Sequence, residues 1–470
     1  MVKKNYNLLV LIFLLLSWIS FWFSINTKPD EINFFSNSSI VSIINTLRIS
    51  VPLLLSFILT LFVILLIFKK KKLDKKLITE PIFLFTIYFF LQCIGLYFNT
   101  KLNFFDLDNS YLVILGIGSM QIFVLLNIFN KNKNLNLFLL SGIFLIATAT
   151  LILFVSVLNN NNSNDLLYLY YFIDLDQKLF EQIFPRVTGL ARMIALINLA
   201  ILISFLFIEK KRTIQIFEFF FVIIQSTLIW SFQSRGAMLC FYTCVIILIF
   251  FYKKYNFRKK ILAIFFIIFF PIIIFETYKF YKINMFNQKI SSIQLEESSF
   301  LLKEKERKLE EFYRLNENRI IKSKEQGTSG RINLWKYMIE KYDKRNIFGY
   351  GPQADRFLIS KTLNQQFGNN VSNGFLYALA CGGYFALAIF ILISLKILLF
   401  IYRSIFLTKI FQIKYFFIEK LATIYLIFFS IRVLFENSYA VFSIDFLITL
   451  ICFLILNNFF LRKNYLTFKV

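Results

Sequence analysis

The stretch that decides the fold joins a polar loop to a long apolar run. It reads SGRINLW at 329–335, FGYGP at 348–352, NNVSNGFL at 369–376 and CGG at 381–383, and apolar residues then continue to Tyr402. A membrane-spanning helix needs about 20 mostly apolar residues, so we predict that a span begins near Asn373. The Arg, Trp, Gly, Pro and Asn of this stretch then lie at the lip of the bilayer, where polar groups are costly unless they are used. The stretch therefore predicts a membrane protein that handles an amphiphilic substrate at this lip.

The rest of the chain repeats the apolar pattern. Of its residues 58% are hydrophobic and 19% aromatic, a composition typical of integral membrane proteins. Length and hydropathy predict about twelve spans, at 7–25, 50–68, 79–98, 110–130, 136–158, 188–208, 213–232, 236–252, 261–281, 373–402, 417–434 and 439–461. We therefore predict an all-α integral membrane protein with about twelve transmembrane helices and one large, partly helical outer loop.

Charges at the ends of the spans predict one orientation. The formal net charge is +25, and the excess lies mainly in short Lys and Arg runs such as 69–72, 210–212 and 253–260. The positive-inside rule places these runs in the cytoplasm, so the charge indicates topology rather than nucleic-acid binding. Both termini are then cytoplasmic. The chain divides into a bundle of about nine spans at 1–281, an outer loop at 282–372, and about three spans with a short tail at 373–470.

The outer loop is predicted to contain two helices. Apolar residues recur at helical spacing among Lys and Glu over 293–326, which favours an amphipathic helix that packs on the rest of the loop or binds a partner. The Gly-Thr-Ser-Gly segment at 327–330 then interrupts the pattern. Ser329 is suited to cap a second helix that continues through Trp335 to Lys341.

Residue types that are missing from the sequence exclude several mechanisms. The chain has no His, the commonest general base and metal ligand. Its five Cys lie in or beside apolar runs and are interpreted as small buried residues. Neither a phosphate-binding Gly-rich loop followed by Lys and Ser or Thr nor a Gly-x-Ser-x-Gly elbow is present. We therefore expect no metal and no cofactor, and no ATP-driven, zinc-dependent or serine-hydrolase mechanism.

Arginines at the outer ends of the spans are the strongest candidates for chemistry. An Arg within or beside a span is costly unless it pairs or binds an anion, and guanidinium binds phosphate oxygens bidentately. Several of them at one face predict a site for a pyrophosphate-linked substrate. The alternative for each is a structural ion pair, such as Arg432 with Glu436, or snorkelling to headgroups. The candidates are Arg186, Arg192, Arg235, Arg331 and Arg432.

Two short motifs near the predicted start of a span have both a structural and a functional interpretation. Gly349 and Gly351 belong to a Gly-Tyr-Gly-Pro segment that is also an ordinary tight turn. Ser372 and Asn373 begin the span. Asn373 either caps the helix or holds a substrate hydroxyl.

Taken in order, these motifs resemble the O-antigen ligase and O-antigen polymerase family of bacterial membrane glycosyltransferases. In that family a Ser-Arg-Gly turn precedes a span. A large periplasmic loop follows with Ser-Gly-Arg, a Trp four residues after the Arg, a Gly-x-Gly turn, and a His-Asn pair that enters the next span before a Gly-rich segment. The matching positions here are Ser234–Gly236, Ser329–Arg331, Trp335, Gly349–Gly351, Ser372-Asn373 and Gly382-Gly383. The resemblance covers the second half of the chain, and the first half agrees in hydropathy and in Arg186 before Thr188-Gly189.

The resemblance implies an inverting, metal-independent transfer of a glycan from undecaprenyl diphosphate at the periplasmic face of the inner membrane. It implies that Arg186 and Arg235 hold the diphosphate and stabilise its charge as it leaves. Arg331 would hold the loop or the glycan, and Asn373 would orient a sugar or the acceptor. Further substrate contacts are expected from Arg192, Trp335, Gly349, Gly351, Ser372, Arg432 and Glu436. The donor's diphosphate bond supplies the energy, so no cofactor is implied.

One position departs from the family pattern, because Ser372 stands where the family usually has His. In ligases that His is thought to assist the acceptor hydroxyl, so its absence favours a repeat-unit polymerase whose acceptor is a second lipid-linked glycan. A chain-length regulator is a further partner that such a polymerase can have. A ligase acting on lipid A-core is the alternative. A polysaccharide flippase or other transporter would instead need charged residues deep within the spans, which are nearly free of them apart from Asp445 near an outer end.

Overall fold

The computed structural model describes residues 80–101, 187–231, 234–252, 255–277, 280, 331–343, 346–352, 354–355, 358, 371–412, 416–436 and 444–467. Within these ranges every regular element is a helix. The helices are α1 Glu80–Lys101, α2 Val187–Phe207, α3 Arg212–Ser231, α4 Arg235–Phe251, α5 Phe257–Thr277, α6 Arg331–Lys341, α7 Gly374–Tyr402, α8 Phe417–Arg432 and α9 Ile444–Thr467. A π-helical turn interrupts α5 at Phe265–Phe269, and another extends α7 to Leu407.

The all-α fold is confirmed for these ranges. The predicted spans from 79–98 and from 188–208 onward coincide with helices whose ends differ from the prediction by a few residues. Three helices are long and apolar enough to cross a membrane, namely Arg212–Trp230, Phe257–Thr277 and Gly374–Leu407. The helix predicted through Trp335 to Lys341 is α6.

Several predictions fall outside the described residues. These are the spans at 7–25, 50–68, 110–130 and 136–158, the amphipathic helix at 293–326, and Arg186. The count of about twelve spans, the domain boundaries near 281 and 372, and the outer position of the loop therefore stay predictions.

Helices α2 and α3 form an antiparallel pair. Asn198 Nδ2 donates to Ser226 Oγ at 3.0 Å near the middle of the pair, and Ser204 Oγ donates to Glu218 Oε1 at 2.9 Å near one end. Polar contacts of this kind hold helices together in a bilayer, where apolar side chains alone do not distinguish a neighbour from lipid. A short connection then turns α3 into α4, so that α4 runs in the same direction as α2.

Helix α8 forms the centre of the bundle. It packs against α2, α4, α7 and α9, and every residue from Lys420 to Phe429 is buried, as expected of a stretch that is mostly apolar on all sides. Tyr425 Oη donates to the Leu196 carbonyl at 2.7 Å, and Cys244 Sγ lies 3.7 Å from the Ile424 carbonyl. Because α8 is antiparallel to α2 and α4, its last turn lies at the end of the bundle where those helices begin. We call this end, marked by Arg192, Arg235 and Arg432, the arginine end.

Helix α7 is broken at Gly383, and a loop segment fills the break. Gly383 has φ 71° and ψ −165°. Tyr350 N donates to the Ala380 carbonyl at 2.9 Å, Gly351 N donates to the Cys381 carbonyl at 2.8 Å, and Tyr384 N donates to the Ile347 carbonyl at 3.0 Å. These hydrogen bonds satisfy backbone groups that the break removes from the helix. The loop after α6 is thereby fixed against α7.

Candidate functional site

Two arginines, the buried Arg432 and the largely buried Arg192, share one buried carboxylate at the arginine end. Arg192 Nη1 on α2 lies 2.8 Å from Asp445 Oδ1, and Arg432 Nε at the end of α8 lies 3.2 Å from Asp445 Oδ2. Asp445, in the first turn of α9, is 1% exposed, and Arg432 is 5% exposed. Two cations and one anion leave a formal charge of +1 in a buried place. A buried excess charge is costly unless another anion balances it.

Both arginines keep donor capacity after binding Asp445. Arg192 Nε and Arg432 Nη1 are buried and have no hydrogen-bond partner within the part of the chain that the structure describes. A buried N–H donor that makes no hydrogen bond costs about 1–3 kcal/mol, and more when the group is charged. The pair is therefore suited to take up an oxyanion between the two guanidinium groups.

Arg331 reaches the same end of the bundle from α6. Its Nη2 lies 3.4 Å from Glu436 Oε1, and the two side chains are 30% and 18% exposed. An ion pair of this length and exposure contributes little to stability, but it joins the start of α6 to the turn that follows α8. Glu436 N in turn donates to the Arg432 carbonyl at 2.9 Å, so the partner of Arg331 lies one helical turn from Arg432.

The structural ion pair expected from the sequence is different in the fold. The carboxylate bonded to Arg432 is Asp445, whereas Glu436 is bonded to Arg331. The reason is topological: Asp445 opens α9, whose first turn lies against the buried face of α8, while Glu436 lies beyond the last turn of α8 on its half-exposed side.

Asn373 caps α7, as one of its two interpretations predicted. Its Oδ1 accepts hydrogen bonds from Phe375 N at 2.9 Å and Leu376 N at 3.1 Å, and its Nδ2 donates to the Leu434 carbonyl at 3.2 Å. The cap satisfies two backbone N–H groups of the first helical turn. Because Leu434 follows Arg432 by two residues, this cap also ties the start of α7 to the end of α8.

Gly349 and Gly351 contact α7 with their backbone. Both are buried and have positive φ, 73° and 94°. A Cβ added to Gly349 would lie 2.5 Å from Gly383 N and 2.6 Å from Gly382 N, so only glycine permits this approach. The Gly-x-Gly and Gly-Gly motifs of the sequence are therefore two sides of one contact. This contact explains both motifs without a substrate.

Arg235 lies apart from these buried contacts. It is the first residue of α4, and its side chain is exposed at the arginine end, next to buried Ser234. An exposed guanidinium at the rim of a buried cationic centre can bind an anion without first breaking a buried ion pair.

Two tyrosines, one beside the docked loop and one in it, stay protonated and are therefore not bases. Burial raises the pKa of Tyr342 and the pKa of Tyr350 above their ordinary values. Tyr342 Oη donates to the Asn346 carbonyl at 2.5 Å. Both hydroxyls therefore keep their protons at neutral pH.

Comparison with known proteins places part of this arrangement in a family. Residues 219–391 match the family model described as O-antigen ligase. The segment that carries Arg235, Arg331 and the start of α7 is therefore similar to the O-antigen ligase family. No curated protein and no solved structure matches it.

The O-antigen ligase match confirms the resemblance that the sequence motifs indicate, and it supports a glycosyltransferase activity of ligase or polymerase type. The matched segment contains Arg235, Arg331, Trp335 and the Ser372-Asn373 pair. The remaining residues of the ion pairs at the arginine end lie outside this segment. Arg192 precedes it in the sequence, and Arg432, Glu436 and Asp445 follow it. The arginine end is therefore assembled by the fold from the matched segment and from parts of the chain outside it.

Two carboxylates of this chain were not predicted to have a role. In the sequence, Asp445 is only a charge near the end of a predicted span. A charge at such a depth needs a partner, and this is the signal that could have identified it. Asp355 lies in the loop after Gly351 and outside every motif. It is fully buried, and its Oδ2 accepts a hydrogen bond from Val371 N at 3.1 Å. No sequence signal distinguishes it from other loop carboxylates.

Proposed function

We propose that this chain transfers a glycan from undecaprenyl diphosphate to an acceptor hydroxyl at the periplasmic face of the bacterial inner membrane. The observation that carries the proposal is the buried centre in which Arg192 and Arg432 share Asp445 and keep a net charge of +1. A polyprenyl diphosphate is an amphiphilic anion, and a cationic centre at one end of an apolar bundle is complementary to it in both charge and polarity.

The proposed reaction is a direct displacement at the anomeric carbon of the donor sugar. The acceptor oxygen forms a bond to this carbon while the bond from the carbon to the diphosphate oxygen breaks, which inverts the configuration. The diphosphate leaves with the bonding electrons, and Arg192 and Arg432 stabilise the negative charge that develops on it. No base from the tyrosines near the loop is needed, because the leaving diphosphate can accept the acceptor's proton.

The remaining candidate residues have distinct roles in this proposal. Arg235, exposed at the same end, would bind the diphosphate as it arrives, together with Arg186 as the sequence predicts. Arg331 would hold the loop through Glu436, to which it is bonded. Asn373 would fix the start of α7 through the cap rather than hold a sugar hydroxyl, because its oxygen already accepts two backbone hydrogen bonds.

Between the two reactions of the family we propose repeat-unit polymerisation, with a second lipid-linked glycan as acceptor. The supporting observation is Ser372 at the position that the family usually fills with His. Ligation to lipid A-core is the second candidate, which the description of the matched family favours. A gel of surface glycolipids from a strain lacking the protein separates them. Core bearing a single repeat unit without the long ladder indicates the polymerase, and bare core with accumulated lipid-linked polymer indicates the ligase.

The role of the arginines is tested in vitro with the full chain in nanodiscs, using undecaprenyl-diphosphate-linked glycans extracted from that strain. Arg432→Lys and Arg235→Lys keep the charge but lose the bidentate fork, so each is expected to lower the rate by about 10²-fold. Arg212→Lys is the matched control, because Arg212 is an exposed arginine that opens α3 at the opposite end of the bundle. Activity of both test variants equal to that of Arg212→Lys, at equal protein abundance, would refute the proposed role.

A further inference from the structure

The backbone N–H and the carbonyl of Val371 are both held by side chains, one from the loop after Gly351 and one from α6. Val371 N donates to Asp355 Oδ2 at 3.1 Å, and the Val371 carbonyl accepts from Trp335 Nε1 at 2.9 Å. Asp355 and Val371 are both fully buried. The backbone just before Ser372 is therefore fixed at its donor and at its acceptor.

The backbone just after Ser372 is fixed as well. Gly374 N donates to the Val433 carbonyl at 2.8 Å, and Asn373 Nδ2 donates to the Leu434 carbonyl at 3.2 Å. Val433 and Leu434 directly follow Arg432. The turn at 371–373 is thus tied on one side to Asp355 and Trp335, and on the other side to the chain segment that follows Arg432.

Ser372 lies between these anchors in an uncommon conformation. Its φ is 48°, in the left-handed region that non-glycine residues rarely adopt. Such a conformation persists where its surroundings over-determine it, and it recurs at functional sites. Four hydrogen bonds on the two sides of one residue provide that over-determination.

We propose that Asp355 and Trp335 are positioning residues that lock the 371–373 turn at a fixed distance from Arg192 and Arg432. Asp355 acts through the N–H of Val371 and not on substrate, because its carboxylate is fully buried. The lock needs an acceptor oxygen at position 355 and an N–H donor at position 335, but no titrating group at either. The inference rests on the proposed function, since it assigns the turn a part in aligning the reacting groups.

The test compares four variants of the full chain in nanodiscs, with the lipid-linked glycans described above as substrate. Trp335→Phe removes the indole N–H and keeps an aromatic ring, and Asp355→Leu removes both carboxylate oxygens. Each is expected to lower kcat about tenfold or more while KM stays within about twofold, because alignment and not binding is lost. Asp355→Asn keeps an acceptor oxygen and is expected to stay within about threefold of the unmodified chain. Trp230→Phe, the same substitution on α3, is the matched control and is expected to change kcat less than twofold.

A second measurement tests the lock without using activity. Amide hydrogen exchange of a peptide covering 371–376 is expected to be about tenfold faster in Trp335→Phe and Asp355→Leu than in Trp230→Phe, because an opened anchor lets the turn fluctuate. Equal exchange in all variants would overturn the lock. Loss of activity in Asp355→Asn equal to that in Asp355→Leu would also overturn it, because the charge and not the acceptor oxygen would then be required. An unmodified chain that transfers no glycan would refute the proposed function, while the exchange rates would still decide the lock.

Discussion

Replacement of Gly383 by alanine is expected to destabilise the chain strongly, because Gly383 joins α7 to the loop that carries Gly349. Its φ of 71° and ψ of −165° lie in a region of backbone space that is essentially restricted to glycine. A Cβ at this position would collide with the Ile347 carbonyl and lie 2.7 Å from Gly349 N. Both neighbours are backbone groups, so neither can yield unless the whole loop moves.

The size of the effect of Gly383→Ala follows from what the added methyl group must displace. Holding a non-glycine residue in this backbone region costs about 1–3 kcal/mol. Moving the loop would also break the three backbone hydrogen bonds between 347–351 and 380–384, each of which contributes about 1 kcal/mol net. We therefore expect the free energy of unfolding to fall by about 4–6 kcal/mol, a large share of the stability of a typical protein.

A denaturant titration of the detergent-solubilised chain measures this loss. Gly236→Ala is the matched control, because a Cβ at Gly236 would meet no atom within 4 Å and alanine favours helix over glycine by about 1 kcal/mol. The control is expected to unfold at the same denaturant concentration as the unmodified chain, or at a higher one. If Gly383→Ala unfolds at the same denaturant concentration as the control, then the loop at 347–351 does not pack against a break in α7 at Gly383.

Two further predictions use the same titration. Asp445→Asn leaves the buried Arg432 and the largely buried Arg192 without a carboxylate, so the free energy of unfolding is expected to fall by about 3–5 kcal/mol; an unchanged midpoint would contradict the shared ion pairs with Asp445. Burial raises the pKa of Tyr342, so the folded chain keeps a proton that the unfolded chain releases near pH 10. Stability is therefore expected to fall as pH rises above about 10, and to fall less steeply in Tyr342→Phe; identical slopes would show that Tyr342 is not buried.

The features that could be predicted from the sequence are those that depend on local pattern. Apolar runs predicted the helices, the Gly-Thr-Ser-Gly break predicted the start of α6, and the residue type at Asn373 predicted the cap of α7. These signals need only the residues within one helix or one turn. The concentration of arginines at span ends was also visible, because topology alone determines which ends share a face.

Contacts between distant parts of the chain could not be predicted in the same way. Nothing local to Arg432 indicates that its partner is Asp445 rather than Glu436, one turn away, since both are carboxylates within reach of a flexible side chain. The choice depends on how α9 packs on α8. The contact of Gly349 with Gly383 is likewise a property of two segments, each of which alone is an ordinary glycine motif.

The charge of the arginine end explains how such a site can exist in an apolar bundle. Arg192 and Arg432 without a carboxylate would place two charges in a buried position, and the cost would oppose folding. Two carboxylates would remove that cost and would also remove the affinity for an anion. One carboxylate, Asp445, between the two guanidinium groups leaves a charge of +1 and two buried nitrogen atoms without a hydrogen bond, Arg192 Nε and Arg432 Nη1, among the described residues. The stability lost to this residual charge is the quantity that a bound diphosphate would restore, and it is the physical basis of the binding that we propose.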